Sequence, residues 1–149
     1  MAIGEICNRE VLIVQRDTTV QEAAKLMRSH HVGALVVVRE VSGKRHPVGL
    51  VTDRDLVVEV MATQLDASVI TVGDIMLPKP ATVLETTGVF ETIQLMRDKA
   101  VRRVPVVDEQ GALIGIVALD DLLSLLAEEL SELSTLVSRE QKKEMDSRH

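Results

Sequence analysis

Apolar residues fall in short blocks, and the whole series of blocks occurs twice. In the first half Val11–Val14 is a short extended piece, and Val20, Ala23, Ala24 and Met27 follow at i, i+3, i+4 and i+7, the face of an amphipathic helix. Ala34–Val38 is a near-continuous apolar run, which implies a strand buried on both faces. Val48–Val51 is a second strand. The second half repeats the order with Ala81–Leu84, then Val89, Thr92, Ile93 and Met96, then Val104–Val107 and Leu113–Val117. Second helices are expected from Asp53 and from Leu119. Thr19 and Glu22 have the spacing of a capping box, and Gln110-Gly111 supplies a tight turn. The last helix is longer than its counterpart. Leu122, Leu126, Leu130, Leu133 and Val137 line one side and Leu123 and Leu125 widen the stripe, so it is expected to dock on a partner.

The repetition extends to residue identity. Shifted by 69, Thr18–Glu40 matches Thr87–Glu109 at ten of twenty-three positions. The shift then becomes 66, because the first half carries three extra residues in the loop around Ser42–Pro47. Two copies suggest a pseudo-twofold pair. The expected organisation is a first unit over 1–63, a polar linker over 64–72, a second unit over 73–130 and a C-terminal helix extension and tail over 131–149, with Arg139–His149 frayed.

Composition narrows the chemistry. Of 149 residues, 46% are apolar but only Phe90 is aromatic, so the core is aliphatic. The net charge of −6 argues against a nucleic-acid backbone as partner. Cys7 stands alone, which removes an intramolecular disulfide and a thiolate metal cluster, and it reads as a small apolar residue in packing. His30-His31 reads as a cationic helix end, not a ligand set. No metal site is expected. The N-terminus lacks the pattern of a signal peptide, and no apolar run reaches the roughly 18 residues of a membrane helix, so a cytoplasmic protein without membrane contact is expected.

The candidate chemistry lies at Gly49-Leu50-Val51-Thr52-Asp53-Arg54-Asp55, and again at Gly115-Ile116-Val117-Ala118-Leu119-Asp120-Asp121. Each is a strand running into a helix N-terminus, where free backbone N–H groups are expected to hold an anion. An ionised Asp55 accepts hydrogen bonds only and suits two ribose hydroxyls. The Thr52 hydroxyl suits phosphate, as do the fork-shaped donors of Arg102 and Arg103. Thr52 and Asp55 also fit a plain helix cap, Arg102-Arg103 fits a solvated pair at a strand start, and Arg54 fits either phosphate or a pairing with Asp53 or Glu59.

The Gly49–Asp55 motif, its second copy and Val101-Arg102-Arg103-Val104-Pro105-Val106-Val107 resemble the cystathionine-β-synthase (CBS) domain pair over about residues 1–130. The resemblance implies an α/β (α+β) fold of tandem β-α-β-β-α units, packed as a pseudo-twofold pair, with two clefts for adenosine-containing ligands. It also implies homodimers and a stand-alone regulatory protein of bacterial type acting on a further protein. By resemblance, the main cleft combines Thr52, Asp53, Arg54 and Asp55 with Met76, Pro80, Ala81, Val101, Arg102 and Arg103. The weaker cleft combines Ala118 and Asp121 with Leu12, His31, Val32, Gly33 and Ala34. Ala118 lacks the hydroxyl of Thr52, and Gly33-Ala34 stand in place of the arginines, so the second cleft is expected to bind weakly or stay empty. AMP, ADP, ATP, NAD and S-adenosylmethionine all present the required adenosine.

Asp53-x-Asp55 after a strand is also similar to phosphotransferases with an aspartyl nucleophile. That chemistry needs a third carboxylate and a lysine, and Leu56-Val57-Val58 supplies neither. The expectation is therefore a sensor and not an enzyme. The alternative is an interaction module whose clefts are vestigial.

Overall fold

The computed structural model describes residues 1–148. Its strands and helices are β1 (Ile13–Val14), α1 (Val20–His30), β2 (Ala34–Val41), β3 (Lys44–Thr52), α2 (Asp53–Asp55), α3 (Val72–Ile75), β4 (Leu77–Pro78), β5 (Val83–Leu84), α4 (Val89–Lys99), β6 (Arg103–Val107), β7 (Leu113–Ala118) and α5 (Leu119–Ser147). A 3₁₀ turn covers Ile3–Glu5, and α2 continues as a π-helical stretch over Leu56–Met61. The chain divides into two compact units, Met1–Val117 and Ala118–His149.

Two mixed sheets form, in the orders β1-β2-β3-β4 and β5-β6-β7. Each begins with a parallel pair, Ile13 beside Val36 and Val83 beside Val106. The apolar runs are buried as their continuity predicts, with Leu35, Val36, Val37 and Val38 all shielded from water, and Val104 and Val106 likewise. The α1 face is narrower than its spacing suggests. Val20, Ala23 and Met27 are buried, while Ala24 is exposed. The equivalent face of α4 buries Val89, Thr92 and Met96, and the Thr92 hydroxyl is satisfied by donating to the Gly88 carbonyl at 2.8 Å.

The capping box at α1 is present: Glu22 N–H donates to Thr19 Oγ1 at 3.1 Å and Thr19 N–H to Glu22 Oε2 at 3.4 Å. Thr19→Ala is therefore expected to cost about 1 kcal/mol, read as a lower midpoint in thermal unfolding. Both first helices end on a left-handed residue, His31 at φ 55° and Ala100 at φ 55°, which places Val32 and Val101 to donate back to Met27 and Met96.

Two expectations are corrected, the loop around Ser42–Pro47 and the frayed tail. The three extra residues make no irregular loop: β2 and β3 form a long hairpin closed at Ser42-Gly43, both with positive φ. A bulge at Val37/Val38 absorbs the register shift beside Pro47, which has no N–H to donate. The stretch over 64–72 is tied to α1, since the Ala67 and Ile70 carbonyls accept from Gln21 and Val20, and Val72 is fully buried. The charged residues from Arg139 to Ser147 continue α5 as helix, with an Arg148–Glu144 pair at 3.0 Å; His149 lies outside the described residues.

The leading turn of each repeat docks on the other repeat. Val72 and Gly73 donate to the carbonyls of Thr18 and Arg16, at 2.8 and 2.9 Å. Ile3 and Gly4 donate to those of Thr87 and Glu85, at 2.7 and 2.9 Å. The 69-residue shift maps one pair onto the other, so the pseudo-twofold relation seen in the sequence is expressed in backbone hydrogen bonds. Beyond the turns, Leu77 pairs with Leu50 in the first sheet, and Asn8 bridges Ile116 in the second half. The core under the first sheet consequently holds Val72 and Met76 of the second repeat beside Val14, Leu35, Val37 and Val51 of the first.

Candidate functional site

Strand β3 hands its chain to α2 at Thr52. Gly49 and Val51 point into the core, so Leu50 and Thr52 point away from it by the alternation of a strand. Met76 lies against Gly49 so closely that a Cβ there would sit 2.9 Å from its Cγ. This approach holds the start of β4 beside β3 and leaves Leu77 at the edge of a cleft.

That cleft encloses about 430 Å³ and is lined by Leu50, Thr52, Asp53, Arg54, Asp55, Leu77, Val101, Arg102 and Arg103, a size within the ordinary range for small-molecule sites. The structure thus gathers seven of the ten residues expected in the main cleft. Met76 is buried beneath Gly49, and Pro80 and Ala81 are half-buried outside the lining. Leu50 and Leu77 were missed. The strand alternation could have found Leu50, whereas Leu77 enters through a pairing between repeats that has no local signature. Gly33, expected in the weaker cleft, borders this one. A Cβ on it would lie 3.1 Å from Asp53 Oδ2 and 3.4 Å from Arg103 Nη2.

The hydrogen bonding refines the chemistry. Asp55 N–H donates to Thr52 Oγ1 at 3.2 Å, and Thr52 N–H donates to Asp55 Oδ2 at 2.8 Å. The cap reading of these residues is therefore correct as far as it goes. It leaves Asp55 Oδ1 as an acceptor and the Thr52 O–H as a donor, since the hydroxyl oxygen serves as the acceptor inside the cap. The expected ring of free amides is absent. Asp53 N–H donates to the Gly33 carbonyl at 2.9 Å and Arg54 N–H to Asp53 Oδ1 at 2.8 Å. With Asp55 N–H in the cap, the first three amides of the helix are occupied, so the free donors of the cleft are side chains.

Those side chains are free. Among the described residues the ion pairs are Arg97–Asp98 and Arg148–Glu144, so Arg54, Arg102 and Arg103 bring three unpaired guanidiniums to the cleft. Against Asp53 and Asp55 this leaves one excess positive charge on a chain of net −6. Such a local reversal of sign draws an anion. The remaining walls, Leu50, Leu77 and Val101, offer aliphatic surface for a flat ring, and Phe90 stands exposed outside the lining.

The second motif is capped differently. Asp121 Oδ2 accepts from Ala118 N–H at 3.0 Å, but Ala118 has no hydroxyl to return the bond, so half the cap is missing. Of the other residues expected with it, His31 ends α1, the Leu12 carbonyl accepts from Val36, and Ala34 pairs with Thr52 in the sheet. Cys7 donates weakly to the Gly4 carbonyl at 3.6 Å, and burial pushes its thiol above the ordinary range, which suits packing and not reactivity. Among the described residues no three His, Cys, Asp or Glu side chains group to hold a metal, and no helix is long and apolar enough to cross a membrane.

The duplicated strand-into-helix motif and the exchanged leading turns coincide with a known family model. The model of the CBS domain matches residues 3–62 and 72–128. The chain belongs to the CBS-domain family. It is 38% identical over 125 residues to an uncharacterised protein of Methanopyrus kandleri, covering 84% of this chain and 62% of that protein, so the CBS pair spans less than two thirds of that relative. It is 34% identical over 124 residues to hypoxic response protein 1 of Mycobacterium tuberculosis, covering 83% of this chain and 84% of the other. Among solved structures, CBSX2 in complex with AMP superposes with a TM-score of 0.73 at 25% identity, covering 85% of this chain and 97% of that one. Like such neighbours, this is a mixed α+β CBS pair.

Proposed function

We propose that this CBS pair is a regulatory sensor of adenosine phosphates, which binds the nucleotide in the Thr52–Asp55/Val101–Arg103 cleft and passes its occupancy to a partner protein. The observation that carries this reading is the set of three unpaired arginines facing a capped carboxylate that still has one oxygen free. Asp55 Oδ1 takes the ribose hydroxyls, and Leu50, Leu77 and Val101 enclose the base. The guanidiniums and the Thr52 O–H take the phosphates. The AMP complex of CBSX2 supports the ligand class. An excess positive charge favours AMP, ADP or ATP, with NAD next, and disfavours S-adenosylmethionine, whose sulfonium meets the arginines. Homodimers fit the family, and regulation requires that the nucleotide bind two states of the protein unequally.

Thermal unfolding with AMP, ADP, ATP, NAD, S-adenosylmethionine and GTP tests this. A ligand at 100 times its dissociation constant stabilises by about 2.7 kcal/mol, on the order of 5–10 °C for a chain of this size. Stabilisation by an adenosine phosphate and not by GTP is expected. No shift with any of them, or equal shifts with GTP, would leave an interaction module with a vestigial cleft. Arg102→Ala is expected to weaken binding about tenfold, since a hydrogen bond to a charged group contributes about 1.5–3 kcal/mol and Arg102 is exposed. Calorimetric titration should show that penalty shrinking as salt is raised.

A further inference from the structure

Helix α5 carries a seam that nothing in its own unit covers. Leu123, Leu126, Leu130, Leu133 and Val137 follow one another at alternating steps of three and four, the spacing of the a and d positions of a two-helix seam. They are 56, 39, 68, 59 and 54% exposed. The outer positions are polar, with Ser124, Ser131 and Ser138 on one flank and Glu128, Thr135 and Lys142 behind. A scattered exposed leucine needs no explanation, but a continuous stripe of about 21 Å does.

The charges along the helix say what covers it and in which direction. Residues 119–137 hold Asp120, Asp121, Glu128, Glu129 and Glu132 and no base, whereas all four bases, Arg139, Lys142, Lys143 and Arg148, lie beyond, among Glu140, Glu144 and Asp146. Two copies side by side in parallel would set five carboxylates against the same five at matching heights. Reversing one copy, with Leu130 opposite Leu133, sets Asp120 and Asp121 against the partner's Lys143 and Lys142, moves Glu128, Glu129 and Glu132 opposite Thr135, Ser134 and Ser131, and opposes the two helix dipoles.

We propose that α5 pairs antiparallel with α5 of a second copy of this chain, with Leu130 opposite the partner's Leu133, Leu126 opposite the partner's Val137 and Leu123 opposite the partner's Glu140. The inference is independent of the nucleotide reading.

Cysteine cross-linking of the full chain in a Cys7→Ala background tests it. Residues 123 and 140 are about 25 Å apart along one helix, far beyond the reach of a disulfide, so any link between them joins two chains. The double variant Leu123→Cys/Glu140→Cys is expected to give a dimer on oxidation that reductant reverses, and either single variant to stay monomeric on a denaturing gel. Adding Leu130→Glu and Leu133→Glu is expected to lower the linked fraction at least tenfold, with circular dichroism confirming that the chain still folds. Linking by Leu123→Cys alone would mean a parallel pair. A folded double variant that does not link would mean that another partner covers the seam. Linking that survives the two glutamates would mean the leucines do not hold the pair. Each of these overturns the proposal.

Discussion

Replacing Asp55 by alanine is expected to weaken adenosine-nucleotide binding at least a hundredfold. The side chain does two things at once: Oδ2 closes the cap on Thr52 N–H at 2.8 Å, and Oδ1 remains free toward the cleft. Two ribose hydroxyls donating to a carboxylate are together worth about 3 kcal/mol or more, which exceeds two decades in affinity. Alanine also removes the cap, at about 1 kcal/mol, so its effect on binding is mixed with an effect on the helix start. Asp55→Asn separates them. Its single amide oxygen can still accept from Thr52 N–H, restoring the cap, but it then presents an NH₂ where the ribose needs an acceptor. Asparagine is therefore expected to recover the unfolding midpoint and not the affinity. Titration calorimetry showing wild-type affinity in Asp55→Asn would remove the ribose assignment while leaving the fold untouched.

Particular residues show how much of this was legible in the sequence. Thr19 with Glu22, Ala34–Val38 and the two glycine-led motifs are local patterns, and each has a local physical cause: a cap, burial on both faces, a strand end. All three appear where the pattern puts them. The arginines were placed in the cleft by the family resemblance, because residue type alone fitted a solvated pair at a strand start equally well. What local pattern could not show is which strands pair between the repeats. Leu77 reaches the cleft only because β4 leaves its own repeat to join β3, and nothing in Leu77-Pro78 announces a partner 27 positions upstream. The occupied amides at Asp53, Arg54 and Asp55 are a second case. A helix start advertises free donors, but the Gly33 carbonyl and the Asp53 side chain take them. The Leu56–Met61 π-helical stretch has no compositional signature that we can identify.

The exchanged turns lead to the second large effect. Gly73→Ala is expected to destabilise the protein by about 1–3 kcal/mol and lower its unfolding midpoint by several degrees. A Cβ on Gly73 would stand 2.8 Å from the Arg16 carbonyl oxygen. That neighbour is backbone, so relief requires α3 to back away from the loop before α1. Retreat breaks the Gly73-to-Arg16 and Val72-to-Thr18 hydrogen bonds and lifts Val72 out of the core. The pseudo-twofold mate behaves alike, since a Cβ on Gly4 would meet the Glu85 carbonyl at 2.9 Å, and Gly4→Ala is expected to cost a similar amount. The two differ in one respect that gives the test its force. Only α3 leads directly into Met76 and Leu77, so Gly73→Ala also disturbs the wall of the cleft and should weaken nucleotide binding, while Gly4→Ala should leave affinity nearly unchanged at temperatures where the protein is folded. Paired unfolding and titration measurements decide it. An unchanged midpoint for both variants would mean that the close backbone approach is not what joins the repeats. Equal losses of affinity would mean that the cleft depends on the whole pair and not on the turn that carries Leu77.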